Sequence, residues 1–189
     1  GAFLDSLIAE VKSVDAGLLC TFGNYPPTEF LQARTVDFVT FNVYLHEKNN
    51  FENYLARLQM IADTKPLMLG EFGVDSLREG ETRQAELLSW QIESAFRGGV
   101  AGVCLFSFTD EWFRHGRRVD DWAFGVTDQG RRPKPAFEAV RRQFDVGPQF
   151  APLRVPFVSV VVASYQGGRT LPACLESLEK SMTLMGVDQ

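Results

Sequence analysis

A short apolar run, Pro66-Leu67-Met68-Leu69-Gly70, ends abruptly in Glu71-Phe72-Gly73. Almost no polar residue interrupts it, so both faces of the segment need cover, as in a strand buried inside a parallel sheet. The pattern recurs. Leu18 to Phe22, Val36 to Tyr44 and Val100 to Phe108 are also mainly apolar, and they end at Gly23-Asn24-Tyr25, at Phe41-Asn42-Val43-Tyr44 and at Ser107-Phe108-Thr109-Asp110. Segments with helical spacing alternate with these runs: Phe3, Leu4, Leu7, Ile8, Val11 and Val14; Phe51, Tyr54, Leu55, Leu58 and Ile61; Leu88, Ile92, Ala95 and Phe96; Phe137, Val140 and Phe144. One helix followed by four strand–helix units predicts an α/β domain with a parallel sheet covered by helices. The fourth helix is delayed by a long loop, Glu111 to Lys134, and loops of that length in α/β enzymes tend to serve function.

The strand ends concentrate the chemistry. Strict alternation places Asn42 and Tyr44 on one face with Thr40, Glu71 on one face with Leu69 and Leu67, and Asp110 with Phe108, while Asn24 or Tyr25 closes the first strand. A carboxylate, a phenol, amides and aromatic rings suit a sugar pocket, because rings stack on apolar sugar faces while amides and acids bind hydroxyls. For each residue a plain structural reading is also open. Glu71 could pair with an arginine or cap a turn, Tyr44 could sit at a rim with its hydroxyl in solvent, and Asp110 could pin the long loop. Trp112 and Trp122 could pack beneath that loop, and His115 falls in a solvated turn, Arg114-His115-Gly116-Arg117-Arg118.

Composition excludes several other classes. The net charge is −5 and no basic stripe is present, which argues against nucleic acid or an anionic membrane as the main partner. No apolar run is long enough to span a bilayer. The opening residues read as the inside of a helix and not as a signal peptide. Cys20, Cys104 and Cys174 stand far apart in apolar surroundings without CxxC spacing, which predicts buried free thiols in a reducing compartment, the cytoplasm. His46 and His115 are the only histidines, so a histidine-rich metal site is ruled out, and no cofactor is called for.

Residues 145–156 carry Gly147, Pro148, Pro152 and Pro156 without periodicity and read as a linker. Beyond it Phe157 to Tyr165 is a new buried strand, Gly167-Gly168 a turn, and Thr170 to Met182 a helix with Leu171, Leu175 and Leu178 inward. One strand and one helix cannot build a core, so this tail is expected to be the start of a domain cut short.

Together, Asn42-Val43-Tyr44, Glu71-Phe72-Gly73, Gly125-Val126 and Arg132-Pro133-Lys134-Pro135 resemble, in order and spacing, the C-terminal half of a clan A glycoside hydrolase barrel, closest to family 2, the β-galactosidase and β-glucuronidase group. The resemblance covers residues 1–144 and implies half of a (β/α)8 barrel with a carbohydrate substrate. It implies a retaining mechanism, in which a second carboxylate about 5–5.5 Å from the nucleophile first protonates the leaving oxygen and then activates water. Glu71 would be the nucleophile and Tyr44 its hydrogen-bonding partner, while Asn42 and Asp110 would shape the sugar site; Asn24, at the end of the first strand, is a further candidate to bind the substrate. Phe106 aligns with a tryptophan that the family usually carries on its eighth strand, and Trp112 is a candidate to replace it. The family's acid/base Glu follows an Asn on the fourth strand, and no Asn-Glu dipeptide occurs here. This portion alone is therefore expected to be inactive, and its open strand edges are expected to favour self-association. The tail, Val158 to Tyr165 with Gly167, Thr170-Leu171-Pro172 and Cys174 to Leu178, resembles the start of a family 2 glycosyltransferase, so that 157–189 would be the truncated N-terminus of its nucleotide-sugar-binding α/β domain. A second reading makes the barrel a non-catalytic glycan-binding module that serves the transferase.

Overall fold

The structure is a computed structural model that describes residues 1–31, 34–146 and 168–184. The chain divides into two compact units, Gly1–Leu153 and Arg154–Gln189. In the first unit, helix α1 (Ala2–Val14) is followed by β1 (Gly23–Asn24), β2 (Val39–Asn42), α2 (Lys48–Ala62), β3 (Leu67–Phe72), α3 (Ser76–Glu79), α4 (Glu81–Arg97), β4 (Gly102–Leu105), β5 (Trp112–Arg114), β6 (Arg117–Val119) and α5 (Pro135–Val146). In the second unit α6 (Leu171–Leu184) is described, with Leu175 exposed and not inward. The expected strand Phe157–Tyr165, Gly167 and the linker from 147 onward lie outside the described residues, while Asp145 and Val146 continue α5.

The sheet is four-stranded and parallel throughout, in the order β1-β2-β3-β4. This is the expected α/β arrangement of a partial barrel. Its main core lies between sheet and helices, with Phe41, Leu67, Leu69 and Phe72 from strands against Phe51, Leu55 and Leu58 of α2 and Leu87, Leu88 and Ile92 of α4, and a smaller cluster joins Ile8 to Val36. Each such side chain contributes about 1.5–3 kcal/mol on leaving water, so this layer fixes where the strand ends emerge.

Four further expectations are corrected. The first strand is not Leu18–Phe22 but the short β1. Upstream, Cys20 donates its N–H to Asp37 Oδ2 at 2.6 Å and accepts from Asp37 N at 2.9 Å, and Thr21 Oγ1 donates to Phe38 O at 2.7 Å, so a polar loop takes up groups that a ladder would have used. Helix α1 buries only Ile8, while Phe3, Leu7, Val11 and Val14 stay exposed. Cys104 and Cys174 are exposed and Cys20 is half-buried, so the thiols are free but not buried; Cys104 sits on β4, which flanks the sheet.

The fourth correction concerns Glu71. Against β2, Phe41 pairs with Leu69 but Asn42 pairs with Glu71. Against β4, Val103 pairs with Leu69 but Leu105 pairs with Phe72. Both neighbours therefore record one extra residue in β3, a bulge around Gly70. Leu67, Leu69 and Phe72 consequently share the helix-side core, while Glu71 aligns with Asn42 and leaves that face. Gly70 suits the bulge because a Cβ there would lie 2.5 Å from Thr40 Cγ2 and 2.9 Å from Asn42 Oδ1.

Gly73 is under a similar constraint, since a Cβ on it would overlap the carbonyl oxygen of Phe106. Gly23, by contrast, has nothing within 4 Å of such a Cβ. Gly73→Ala is therefore expected to lower the free energy of unfolding by about 1–3 kcal/mol through overpacking. Gly23→Ala should stay within about 0.5 kcal/mol of the parent chain. Urea denaturation of the two variants checks both values.

Candidate active site

Beyond the bulge, Glu71 opens into a cleft of about 1330 Å³ that it shares with Tyr44, His46, Phe106, Trp122 and Phe124. Tyr44 lies two residues past β2 and donates its hydroxyl to Glu71 Oε2 at 2.9 Å. That is the one side-chain hydrogen bond of Glu71 among the described residues, which leaves Oε1 without a side-chain partner. Burial, and after it the hydrogen bond to and negative charge of Glu71, push the Tyr44 hydroxyl well above its ordinary range. The phenol thus stays protonated and remains a donor. His46 Nε2 donates to the Gly73 carbonyl at 3.1 Å, which ties the chain after β2 to the chain after β3.

Aromatic rings form one side of the cleft. Phe106 stacks on Trp112 (centroids 5.2 Å, planes 26° apart) and on Trp122 (5.7 Å, 30°), and the two indoles stack on each other (5.7 Å, 25°). Phe124 meets Tyr44, Phe106 and Trp122 edge-on, with centroids 6.0, 5.6 and 5.4 Å away. Such offset and edge contacts are favourable beyond the area they bury. Trp112 itself lies on β5, stacked on Phe106 and Trp122 but outside the set lining the cleft.

The long loop is partly ordered as a hairpin of β5 and β6, which pair antiparallel with Arg114 opposite Arg117. Its two turn residues, His115 and Gly116, take φ of 51° and 75°, the left-handed pair that a tight hairpin requires. The hairpin brings Arg114 and Arg118 to the cleft, and Arg118 pairs with Asp120 at 2.9 Å. Arg78 pairs with Asp75 at 3.3 Å on another side.

Of the expected site residues, the structure brings Glu71, Tyr44 and Phe106 together in the cleft and stacks Trp112 on Phe106. Asn42 is beside Glu71 by strand register but does not line the cleft. Asn24 is elsewhere. It is buried, its Oδ1 accepts from Tyr25 N at 2.9 Å and from Thr28 Oγ1, and it lines a separate pocket of about 280 Å³. Asp110 is also off the cleft, buried in an ion pair with Lys134 at 3.0 Å and accepting from Gly125 N at 2.7 Å. Both carry the structural role that the residue types had left open. At the sequence level neither Phe124 nor His46 is named as a site residue, and packing beneath the loop is favoured for Trp122. The signal for the two rings was their spacing, since two aromatics separated by one small residue, Ala123, can face one way.

Among the described residues, no group of three or more His, Cys, Asp or Glu side chains is placed to hold a metal ion, and no helix is long and apolar enough to cross a membrane. An anionic oxygen held by a neutral phenol beside apolar rings can act as a nucleophile or a base toward a polar ligand with an apolar face.

No protein-family model matches the chain, and no curated protein does. Solved structures do. A thermostable mutant of the xylanase Xyn10A from Cellvibrio japonicus matches at 14% identity over 75% of this chain and 54% of its own, with a TM-score of 0.55. The GH5_18 protein from Streptomyces cattleya, solved in complex with GlcNAc, matches at 18% identity over 72% of this chain and 39% of its own, with a TM-score of 0.60. The β-glucuronidase from Ruminococcus gnavus, in complex with D-glucaro 1,5-lactone, matches at 23% identity over 65% of this chain and 26% of its own, with a TM-score of 0.50. The chain thus spans about half the length of the xylanase and less of the other two. These neighbours are glycoside hydrolases with TIM barrels, and the chain shares their fold as a partial barrel.

Proposed function

We propose that Glu71 is the nucleophile of a retaining glycoside hydrolase whose barrel includes this chain. The observation that carries the reading is the bulged end of β3, which delivers Glu71 into an aromatic cleft with its Oε2 held by Tyr44 at 2.9 Å. Glu71 Oε1 would attack the anomeric carbon of a sugar, forming a glycosyl ester as the bond to the leaving oxygen breaks. A second carboxylate would give that oxygen its proton and later take one from water. We assign this second group to a part of the barrel outside Gly1–Gln189, in keeping with the share of the neighbours that the chain spans. Tyr44 would orient the nucleophile and remain neutral throughout. Phe106, Trp122 and Phe124 would stack on the sugar's apolar face, with Trp112 supporting them.

The proposal extends to a second module. The resemblance of Val158–Tyr165 and Thr170–Leu178 to a family 2 glycosyltransferase supports a bifunctional carbohydrate-active protein. The flanking strands β1 and β4 are where further barrel strands, or a second copy of the chain, would pair.

Two measurements bear on this. A panel of 2-fluoro glycosyl fluorides, applied to a folded protein containing this chain, is expected to label Glu71 in the mass spectrum of its peptides. Tyr44→Phe should slow that labelling about tenfold or more, the size of one hydrogen bond to a charged group. A folded protein that no sugar in the panel labels would instead favour the glycan-binding reading. In the chain as it stands, the Tyr44 phenolate should form at lower pH in Glu71→Gln than in the parent, because a negative charge beside the phenol has gone. It should still form above the ordinary tyrosine range, because burial is the larger cause of the shift. Ultraviolet titration against Tyr44→Phe isolates this group.

A further inference from the structure

We infer that Gln84, Asp110 and Lys134 are positioning residues for the aromatic wall of the Glu71 cleft, acting through the main chain of Ala123–Gly125. The observation is a convergence of buried polar side chains on one short piece of backbone. Gln84 of α4 sends Nε2 toward the carbonyls of Val74 (2.9 Å), Gly125 (3.2 Å), Phe124 (3.4 Å) and Ala123 (3.5 Å). Asp110, past β4, accepts from Gly125 N at 2.7 Å. Lys134, just before α5, donates to Asp110 Oδ2 at 3.0 Å, to Ser76 Oγ at 3.0 Å and to the Ala123 carbonyl at 3.4 Å. Asp75 completes the set by accepting from Ala123 N at 2.9 Å. Asp75, Gln84, Asp110 and Lys134 are all buried.

Gln84, Asp110 and Lys134 do not line the cleft. What they hold is the orientation of the peptide units between Trp122 and Gly125. Trp122 and Phe124 line the cleft, whereas Ala123 is buried and does not reach it. Gly125 has no room for a side chain, since a Cβ would overlap the backbone of Thr109 and Asp110. An apolar anchor would hold the loop down without dictating which way each carbonyl faces. Hydrogen bonds from fixed, buried donors do dictate it, and with it the placement of the two rings. The buried charge of Lys134 is tolerable because Asp110 answers it. Lys134 thereby gives the sequence Arg132-Pro133-Lys134-Pro135 a task that its charge alone does not suggest.

The test reads the wall directly. Trp112 and Trp122, stacked 5.7 Å apart with their planes 25° from parallel, should give an indole exciton couplet in circular dichroism. Trp122→Phe removes the couplet and sets the baseline. Gln84→Met, which keeps the side chain's length but has no N–H, and Asp110→Asn should each lose at least about half of it, the helical signal being retained. Arg57→Met, which breaks the Arg57–Glu29 ion pair (2.5 Å) away from the cleft, should keep it in full. If Asp110→Asn does not fold, Gln84→Met decides, and a folded Gln84→Met with an undiminished couplet overturns the inference. The functional half rests on the glycosidase reading. In a protein containing this chain, the apparent affinity for the 2-fluoro glycosyl fluoride that labels Glu71 should weaken about tenfold in Gln84→Met, with the limiting labelling rate little changed. An unchanged affinity in a variant that has lost the couplet also overturns the positioning role. Absence of labelling in the parent protein would count against the glycosidase reading alone, and the couplet would still decide the cradle.

Discussion

One extra residue in β3 governs what this chain can present. A strand that kept strict alternation through Leu67, Leu69 and Glu71 would drive the carboxylate into the layer where Leu87, Leu88 and Ile92 pack. An ionised group in that layer would lose its hydration with nothing to replace it, and would be held neutral at the cost of stability. The bulge around Gly70 prevents this. It returns Phe72 to the core and turns Glu71 toward Asn42 and the cleft, and it does so at a residue with no side chain to accommodate between Thr40 and Asn42. The placement of Tyr44 then matters, because its hydroxyl meets the carboxylate only if Glu71 emerges on that side.

The other side of the cleft is built by a different means. Strands position Glu71 and Phe106, whereas Trp122 and Phe124 belong to a loop that no ladder organises over most of its length. Polar side chains buried beneath that loop supply the order that a sheet would have supplied. The hairpin of β5 and β6 is fastened to the same wall through Trp112, which stacks on both Phe106 and Trp122. A rigid strand end and a tethered loop thus meet at Phe106, whose backbone lies so close to Gly73 that only glycine fits there.

Much of this was legible in the sequence, and the parts that were not share a cause. The alternation of apolar runs with helical stripes predicted the parallel sheet, the strand ends pointed to Glu71 and Tyr44, and the family resemblance pointed to Phe106. The bulge was hidden because inserting one residue barely alters an apolar run; its trace was a glycine inside a strand pattern, between Leu69 and Glu71. Asn24 and Asp110 were read toward the ligand because polar residues at strand ends often face one, yet both spend their hydrogen-bonding capacity on their own loops. For Asp110 nothing local distinguishes the two uses, since its partners Gly125 and Lys134 are set by tertiary placement, whereas Asn24 bonds within its own turn, to Tyr25 and Thr28. The cysteines failed for a similar reason: apolar neighbours in sequence do not imply cover in space, and Cys104 lies on a flanking strand while Cys174 lies on an exposed part of α6.

The central claim, that β3 changes face between Leu69 and Glu71, is open to a direct measurement. In a chain with Cys20, Cys104 and Cys174 replaced by serine, Leu69→Cys and Glu71→Cys would each be exposed to a small charged thiol reagent under native conditions. The account predicts that the thiol from Glu71→Cys reacts readily, while the one from Leu69→Cys stays protected until the protein unfolds. Equal behaviour at the two positions, as strict alternation requires, would contradict it.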